Sequence, residues 1–386
     1  MSFKKKLWLY TKAVPPEHSG AGKRCVAHAK WFAEKGYNVT VLTKTQNPDE
    51  TDGVTYLSLP RYSNGLINVY VNLYRNKNAL SGIIKKYGAP DILHSFGGGM
   101  QSSIISRIGK VHNIKTVIET VVTVPEDNLK YKLTPNRHLR MYGLRNADRV
   151  IANSDAVKTS IKITGFSKPV DVIYNPVNTK KFATVSEEES KRIRKDLNLP
   201  DSSFLILMVG RVCLRKGHDI AIKTLSILKE HANVKLVLVG PWDDSGLNQI
   251  KSKLSASEQD IIDSDEIIWA GQTDRVASYY RACNLLLFPS RKEGLPNVPI
   301  EAMACGLPVV ASPLKGINDI IIDHEETGYI TNDNNSNEYY NYINRIIDAP
   351  ETLKSLKHEG SKRIKSRFSE SVIYGQYEQL YKEITS

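Results

Sequence analysis

A run of four apolar residues, Leu285–Phe288, followed by a polar loop with Gly294 and Pro296 and then by a helical pattern, constrains this chain more than any other stretch. An apolar run bounded by turn signals suits a strand buried on both faces. The helical pattern runs from about Asn297 to Ala304, Gly306 and Pro308 stop it, and Val309-Val310 begins a second buried strand. A strand, loop, helix, strand unit belongs to a parallel sheet, so the loop lies beyond the carboxyl end of the first strand. Asn297 is expected to cap the helix, with the first-turn N–H groups forming a candidate anion site. Two carboxylates frame it. Glu293 sits in the loop, and Glu301 lies one turn into the helix, on the same crevice if Ile300, Met303 and Ala304 pack inward.

The same alternation recurs along the chain. Apolar runs at Leu7–Tyr10, Val39–Leu42, Tyr56–Leu59, Asp91–His94, Thr116–Glu119, Arg149–Ala152 and Val170–Tyr174 are separated by helical patterns near Lys23–Lys35, Asn68–Tyr87, Met100–Lys110, Arg137–Arg145 and Asp155–Thr164. Further runs follow at Phe204–Val209, Lys235–Val239, Ile267–Trp269, Leu285–Phe288 and Val309-Val310. This is an α/β pattern of doubly wound parallel sheets covered on both faces. At 386 residues the chain exceeds one ordinary core. Two Rossmann-like domains are therefore expected, 1–176 and 177–368, with Asn175–Thr179 and the charged run Ser186–Lys195 as the connection. Three helices are expected at the end, near Glu338–Ile347, Glu351–Ser366 and Ser369–Ile384. In the last, Tyr374, Tyr377, Leu380 and Tyr381 make an apolar stripe suited to packing.

Several strand ends carry residues suited to anions. The first strand runs into Pro15–Gly22, where small residues at Gly20 and Gly22 allow backbone to approach a phosphate or sugar. Phe204–Val209 runs into Gly210-Arg211 and then Lys216-Gly217, placing two cations on a strand-to-helix loop where a doubly wound sheet binds ligands. Arg acts as a fork and Lys as a point charge toward a diphosphate. Gly240-Pro241 ends another strand and can approach a base or ribose. Asp243-Asp244 and Asp263-Ser264-Asp265 read as surface carboxylates, not as metal ligands following a strand end.

Taken together, Leu285–Ser290, Glu293, Glu301 and Gly306–Ser312, with Gly210-Arg211 and Lys216-Gly217, resemble the donor-binding signature of glycosyltransferase family 4 (glycosyltransferase group 1), retaining enzymes of the GT-B fold. The resemblance covers nearly the whole chain and is most specific between Val209 and Ser312. It implies two Rossmann-like domains facing a cleft, an acceptor domain over 1–176 and a donor domain over 177–368, with 369–386 crossing back onto the first. It also implies transfer of a sugar from a nucleoside diphosphate to an acceptor. Arg211, Lys216 and the helix start near Asn297 would stabilise the departing diphosphate. Glu293 would meet the sugar and Glu301 the ribose, with Gly20, Gly210, Gly240, Pro241, Gly294 and Leu295 completing the donor contacts.

Two departures stand out. Where many relatives place a His after the strand ending near Ile118, this chain has Glu119-Thr120, and where they carry a Gly-Gly element before a Glu it has Lys315–Asp319. Either Glu119 faces the sugar as a further catalytic-site residue or the site is altered; His94 is the weaker substitute. A UDP-, GDP- or ADP-sugar is the expected donor, a sugar or lipid-linked molecule the acceptor, and polysaccharide, glycolipid or glycoconjugate biosynthesis the setting. No cofactor and no metal are expected. Cys25, Cys213, Cys283 and Cys305 lack metal-ligand spacing and suit reduced thiols.

A net charge of +12 attracts anions. It fits an acidic membrane face, a nucleic acid or an anionic donor alike. One basic and aromatic group, Arg61, Tyr62, Tyr70, Tyr74, Arg75, Lys77, Lys85 and Lys86, and another, Lys130, Tyr131, Lys132, Arg137, His138, Arg140 and Arg145, are the candidates for an anionic membrane surface. No apolar run reaches the ~20 residues of a spanning helix and no secretion signal opens the chain, so the expected location is cytoplasmic, peripheral to the inner face of the membrane at most. The alternatives keep the fold: a catalytically altered nucleotide-sugar binder, an epimerase, or an enzyme with a nucleic-acid acceptor, which no stacking or recognition module favours.

Overall fold

The computed structural model describes residues 5–17, 19–60, 68–120, 135–230 and 232–386. The chain divides into two compact units, Met1–Asn175 with Ile373–Ser386, and Pro176–Val372. In the first, β1 (Lys6–Tyr10), β2 (Asn38–Thr43), β3 (Val54–Ser58), β4 (Ile92–Phe96), β5 (Lys115–Thr120), β6 (Arg149–Ala152) and β7 (Asp171–Val172) form one sheet in the order β3-β2-β1-β4-β5-β6-β7. In the second, β8 (Phe204–Val209), β9 (Val234–Val239), β10 (Ile267–Gly271), β11 (Leu285–Phe288), β12 (Val309–Ala311) and β13 (Tyr329–Ile330) take the order β10-β9-β8-β11-β12-β13. Every pairing in both sheets is parallel.

Parallel pairing explains why the strands read as unbroken apolar runs: helices cover both faces, so alternate side chains are buried in opposite directions. Leu7 and Leu9 of β1 enter one core with Val39, Val41 and Val117, while Trp8 and Tyr10 enter another with Leu42 and Leu93. The first of these cores is closed by the terminal helix Glu370–Thr385, whose Tyr374, Tyr377, Leu380 and Tyr381 are all buried in it. In the second unit Ile206, Met208, Leu236, Leu238, Leu285 and Leu287 pack with the helices His218–Leu228 and Ser336–Asp348. Each sheet reverses its strand order at one place, between β1 and β4 and between β8 and β11. At such a switch point two neighbouring loops diverge and leave a crevice beyond the carboxyl ends of the strands.

Three expectations need correction. The charged run Ser186–Lys195, expected to connect the domains, is a helix over Glu187–Asp196. Ser186 Oγ accepts from the Glu189 N–H at 3.2 Å, three glutamates fill its first turn, and Arg194 and Lys195 fill its last, matching the helix dipole. It buries no residue fully, so no apolar stripe announced it. The first helix begins at Gly20, not Lys23, because Ser19 caps it and its Oγ accepts from the Gly22 N–H at 3.0 Å. Residues Tyr329–Ile330 add β13, too short to show a periodicity in sequence.

Candidate functional site

At the switch point of the second sheet, β8 ends in Gly210, whose φ of +139° turns the chain away. Leu214–Lys216 form a single 3-10 turn, and Gly217, at φ +78°, starts the helix His218–Leu228. A Cβ on Gly217 would lie 2.2 Å from the Pro289 carbonyl oxygen, so only glycine lets this turn press against the end of β11. The two loops are then fastened together. The Arg291 N–H donates to the Arg215 carbonyl at 2.8 Å, and the Arg291 guanidinium forks onto both oxygens of Asp219 at 2.8 and 2.7 Å. That hydrogen-bonded fork raises the Arg291 pKa above its ordinary value.

The fastening brings Lys216 and Glu293 together across 77 residues of sequence. Glu293 Oε1 accepts from Lys216 Nζ at 2.7 Å, from Ser290 Oγ at 2.6 Å and from Arg215 Nη1 at 3.0 Å. Both members of the Lys216–Glu293 pair are nearly enclosed, with side chains 13% and 12% exposed. Lys216 Nζ also stands 5.5 Å from the centre of the Phe288 ring, a cation–π contact at the end of β11. Arg211 differs. Its side chain is 61% exposed and pairs with Asp243 at 2.9 Å.

Asp243 and Asp244 are exposed, as expected of surface carboxylates, and Asp243 is also tied into the loop after β9. It lies four residues past β9, one oxygen meeting Arg211 and the other accepting from the Gly246 N–H to cap the helix Asp244–Lys251. Gly240 precedes it at φ +148°, and a Cβ there would stand 2.1 Å from the Gly210 carbonyl oxygen. With Pro241, whose carbonyl accepts from the Val212 N–H at 3.0 Å, it holds the β8 and β9 loops in close contact. Trp242 then leans on Trp269, ring centres 5.7 Å apart.

The helix after β11 has the expected range, and only its cap is corrected. It spans Asn297–Ala304 with Pro296 as its N-cap, so Asn297 is its first helical residue. Four N–H positions at a helix start lack an intrahelical acceptor, and here Pro296 and Pro299 occupy two of them without a proton. The terminal donors are thus the N–H groups of Asn297 and Val298. Pro299, Ile300, Ala302, Met303 and Ala304 are buried; Glu301 is partly exposed and accepts from the Tyr280 hydroxyl at 3.1 Å. Gly294 and Leu295 complete the loop, Leu295 buried and Gly294 partly exposed.

Two family models match this chain in succession, "Glycosyltransferase Family 4" over residues 18–181 and "Glycosyl transferases group 1" over residues 189–363. The chain is a GT-B glycosyltransferase of family 4. The second model contains the whole crevice just described. An uncharacterized glycosyltransferase of Methanocaldococcus jannaschii is 28% identical over 360 residues, covering 92% of this chain and 88% of that protein. The capsular polysaccharide biosynthesis glycosyltransferase CapM of Staphylococcus aureus is 25% identical over 237 residues, 60% of this chain and 58% of CapM, so that match spans less than two thirds of CapM. Among solved structures, Anabaena HepE in complex with UDP superposes with a TM-score of 0.79 at 19% identity, covering 98% of this chain and 100% of the other. Sucrose-phosphate synthase from Thermosynechococcus elongatus gives 0.77 at 23%, covering 99% of each. These likenesses show the fold.

In the first unit of the glycosyltransferase, Glu119 does not face an open crevice. It is fully buried on β5, where it pairs with Arg24, accepts from the Tyr377 hydroxyl at 3.1 Å and lies 3.7 Å from His94 Nε2. A sugar cannot reach it in this arrangement. His94 is equally enclosed, its Nδ1 2.6 Å from the Tyr381 hydroxyl, which also lies 2.9 Å from His28 Nε2. Burial lowers the His94 pKa to about 3 and pushes that of His28 well below the ordinary value. Gly20 opens the first helix, with nothing within 4 Å of where its Cβ would be, whereas Gly22 is the tight neighbour, its Cβ position 2.0 Å from the Ala13 carbonyl oxygen.

Sequence reasoning gave Ser290 only as part of the donor-binding motif and passed over Arg291, although both shape the crevice around Glu293. It also passed over Gly97-Gly98-Gly99, which follow β4 at the first sheet's switch point. The triple glycine was the available signal. Among the described residues no helix is long and apolar enough to cross a membrane, no group of ligating side chains could hold a metal, and the four cysteines are free thiols. Of the two basic groups, Arg61, Tyr62, Lys130, Tyr131 and Lys132, and the side chains of Tyr70 and Arg137, lie outside the described residues. Tyr74, Arg75, Lys85 and Lys86 are exposed, while Arg140 donates to Thr120 Oγ1 at 2.8 Å.

Proposed function

We propose that this glycosyltransferase moves a sugar, with retention at the anomeric carbon, from a nucleoside diphosphate to a hydroxyl acceptor in polysaccharide, glycolipid or glycoconjugate biosynthesis. The observation that carries the reading is the Lys216–Glu293 pair at the switch point, flanked by Arg211 and by the Asn297 and Val298 N–H groups. The reaction breaks the bond between the anomeric carbon and the diphosphate oxygen, and the electron pair leaves with the phosphate. Stabilising that growing negative charge is the main task, and positioned cations and amides perform it well in a site that excludes water. Lys216 is held in place before any ligand arrives, because Glu293, the Phe288 ring and the bare Gly210 surround it. Arg211 is exposed and completes the contact when the diphosphate docks.

The acceptor oxygen attacks the same face of the ring that the phosphate leaves, and its proton passes to the departing phosphate oxygen. Glu293 meets the sugar, binding hydroxyls or opposing the positive charge that builds on the ring. Glu301, anchored by Tyr280, accepts from ribose hydroxyls. The bound ligands of structural relatives, UDP and UDP-glucose in HepE, favour a UDP-sugar. Protein cations carry the phosphate charge in this scheme and no metal is required, so turnover in EDTA should equal turnover in Mg2+. The deciding experiment is a turnover screen across UDP-, GDP- and ADP-sugars with Glu293→Ala as control. Loss of turnover in the folded variant is expected; unchanged turnover removes Glu293 from the site.

A further inference from the structure

The second unit also holds a cavity of about 1540 Å³ that the scheme above touches only through the buried Tyr280. Its lining includes Asp201 and Ser202, just before β8, Asn284, just before β11, and Gly306, just before β12. The strands are parallel, so the cavity lies at the amino edge of the sheet, and the six residues of β8 separate it from the carboxyl-edge crevice by about 20 Å. It exceeds the roughly 300–1,000 Å³ of an ordinary small-ligand pocket.

Its charge is one-sided. Among the described residues seven lysine and arginine side chains line it against two carboxylates, Glu187 and Asp201, and of the seven Lys362 pairs with Glu359 at 3.4 Å. Arg194 and Arg281 are braced by neutral acceptors, Arg194 by the Ala282 carbonyl and Asn284 Oδ1, both at 2.6 Å, and Arg281 by the Ala183 carbonyl at 3.0 Å and the Lys181 carbonyl at 2.7 Å. These bonds fix the guanidiniums without cancelling their charge. Along the helix Pro350–Phe368, Lys354, Lys357, Ser361 and Lys365 fall at spacings of three and four on the face that lines the cavity. Lys354 and Lys357, three residues apart, are like charges whose repulsion weakens a helix by a few tenths of a kcal/mol, and a bound anion reverses the sign. The stripe runs about 16 Å along the axis, at 1.5 Å per residue.

We infer that this groove is a second ligand site, which binds a linear oligo-anion with phosphate or carboxylate groups repeated along its length. A single phosphate meets one end of the stripe only. A flat bilayer cannot follow cations set into a concavity. Nucleic acid lacks its stacking platform, since Tyr280, the one Tyr, Phe or Trp ring in the lining among the described residues, is 1% exposed.

The test measures binding of linear oligophosphate, oligogalacturonate, orthophosphate and phosphatidylglycerol vesicles to the whole chain by calorimetry and flotation. It compares wild type with Lys354→Gln/Lys357→Gln/Lys365→Gln and with a charge-matched control at exposed lysines outside the groove, Lys30→Gln/Lys115→Gln/Lys253→Gln. Expected is binding of one or both oligo-anions, weakened about tenfold or more in the groove variant and within about twofold of wild type in the control. UDP should not compete. Which oligo-anion binds more tightly identifies the source of the charge. Equal losses in the two variants, binding of orthophosphate as tight as that of the oligomers, or binding to vesicles alone would overturn the inference. Thermal melting of both variants accompanies the titrations, so that a loss through unfolding is recognised as such.

Discussion

The two sheets share one winding rule and treat their charged residues in opposite ways. In the second unit, loops from β8 and β11 are stitched together by Arg291, Asp219 and the Arg215 carbonyl, and their charged pair, Lys216 and Glu293, stays at the rim with 13% and 12% of each side chain exposed. In the first unit, Glu119 itself is fully buried against the terminal helix, in one polar cluster with His28, His94, Tyr377 and Tyr381, and only its partner Arg24 keeps a small part of its side chain exposed. A charge at a rim can be handed to a ligand. A sealed charge can serve only the fold, because desolvating it without its partner costs more than the fold can readily bear. Glu119 thus acts as a lock on the terminal helix.

The largest effect expected from this contrast is on stability. Glu119→Ala leaves the nearly enclosed Arg24 guanidinium without its counter-ion and should destabilise the first unit by about 3–5 kcal/mol, read as a lower denaturation midpoint. A drop below about 1 kcal/mol would mean that the cluster opens to water. Lys216→Ala should do the reverse, lowering turnover about a hundredfold while the melting point stays near that of wild type, as expected of a lost charge-stabilising donor. Glu293 would keep Ser290 and Arg215 as donors in that variant.

The third prediction concerns pH. Burial holds the folded-state pKa of His94 at about 3 and that of His28 well down, below the ~6.5 of an unfolded histidine. Below pH ~6.5 the unfolded chain binds protons that the folded chain refuses. The stability contributed by each neutral ring is therefore whole above pH ~6.5 and falls by up to about 1.4 kcal/mol per pH unit on acidification toward the folded-state pKa. Denaturation midpoints at pH 7 and pH 5 should diverge more in wild type than in His94→Gln; equal divergence would assign the acid sensitivity elsewhere, for example to His218, which burial brings to about 4. The smallest effect is that of Arg211→Ala. Its pair with Asp243 is exposed, so the change should weaken donor binding about fivefold and leave folding intact.

Much of this architecture could be read from the chain, because parallel strands buried on both faces leave unbroken apolar runs such as Leu285–Phe288 and Phe204–Val209. Gly210, Gly217 and Gly240 were legible for a related reason: all three have positive φ in loops after strands, and at Gly217 and Gly240 a Cβ would also meet a carbonyl oxygen, so few alternatives to glycine exist. What stayed hidden depended on tertiary partners. The helix Glu187–Asp196 has no buried stripe, Asn297 looks like a cap until Pro296 is seen to take the extended conformation, and Glu119 looks like a site residue until Tyr377, 258 residues away, is found bonded to it.

The account turns on where a nucleotide binds, and hydrogen exchange on the intact chain with and without UDP tests this most directly. UDP should protect amides in residues 210–217 and 293–301, and Lys216→Ala should abolish that protection. Protection confined to residues 184–191 and 354–366, or none at saturating UDP, would contradict it.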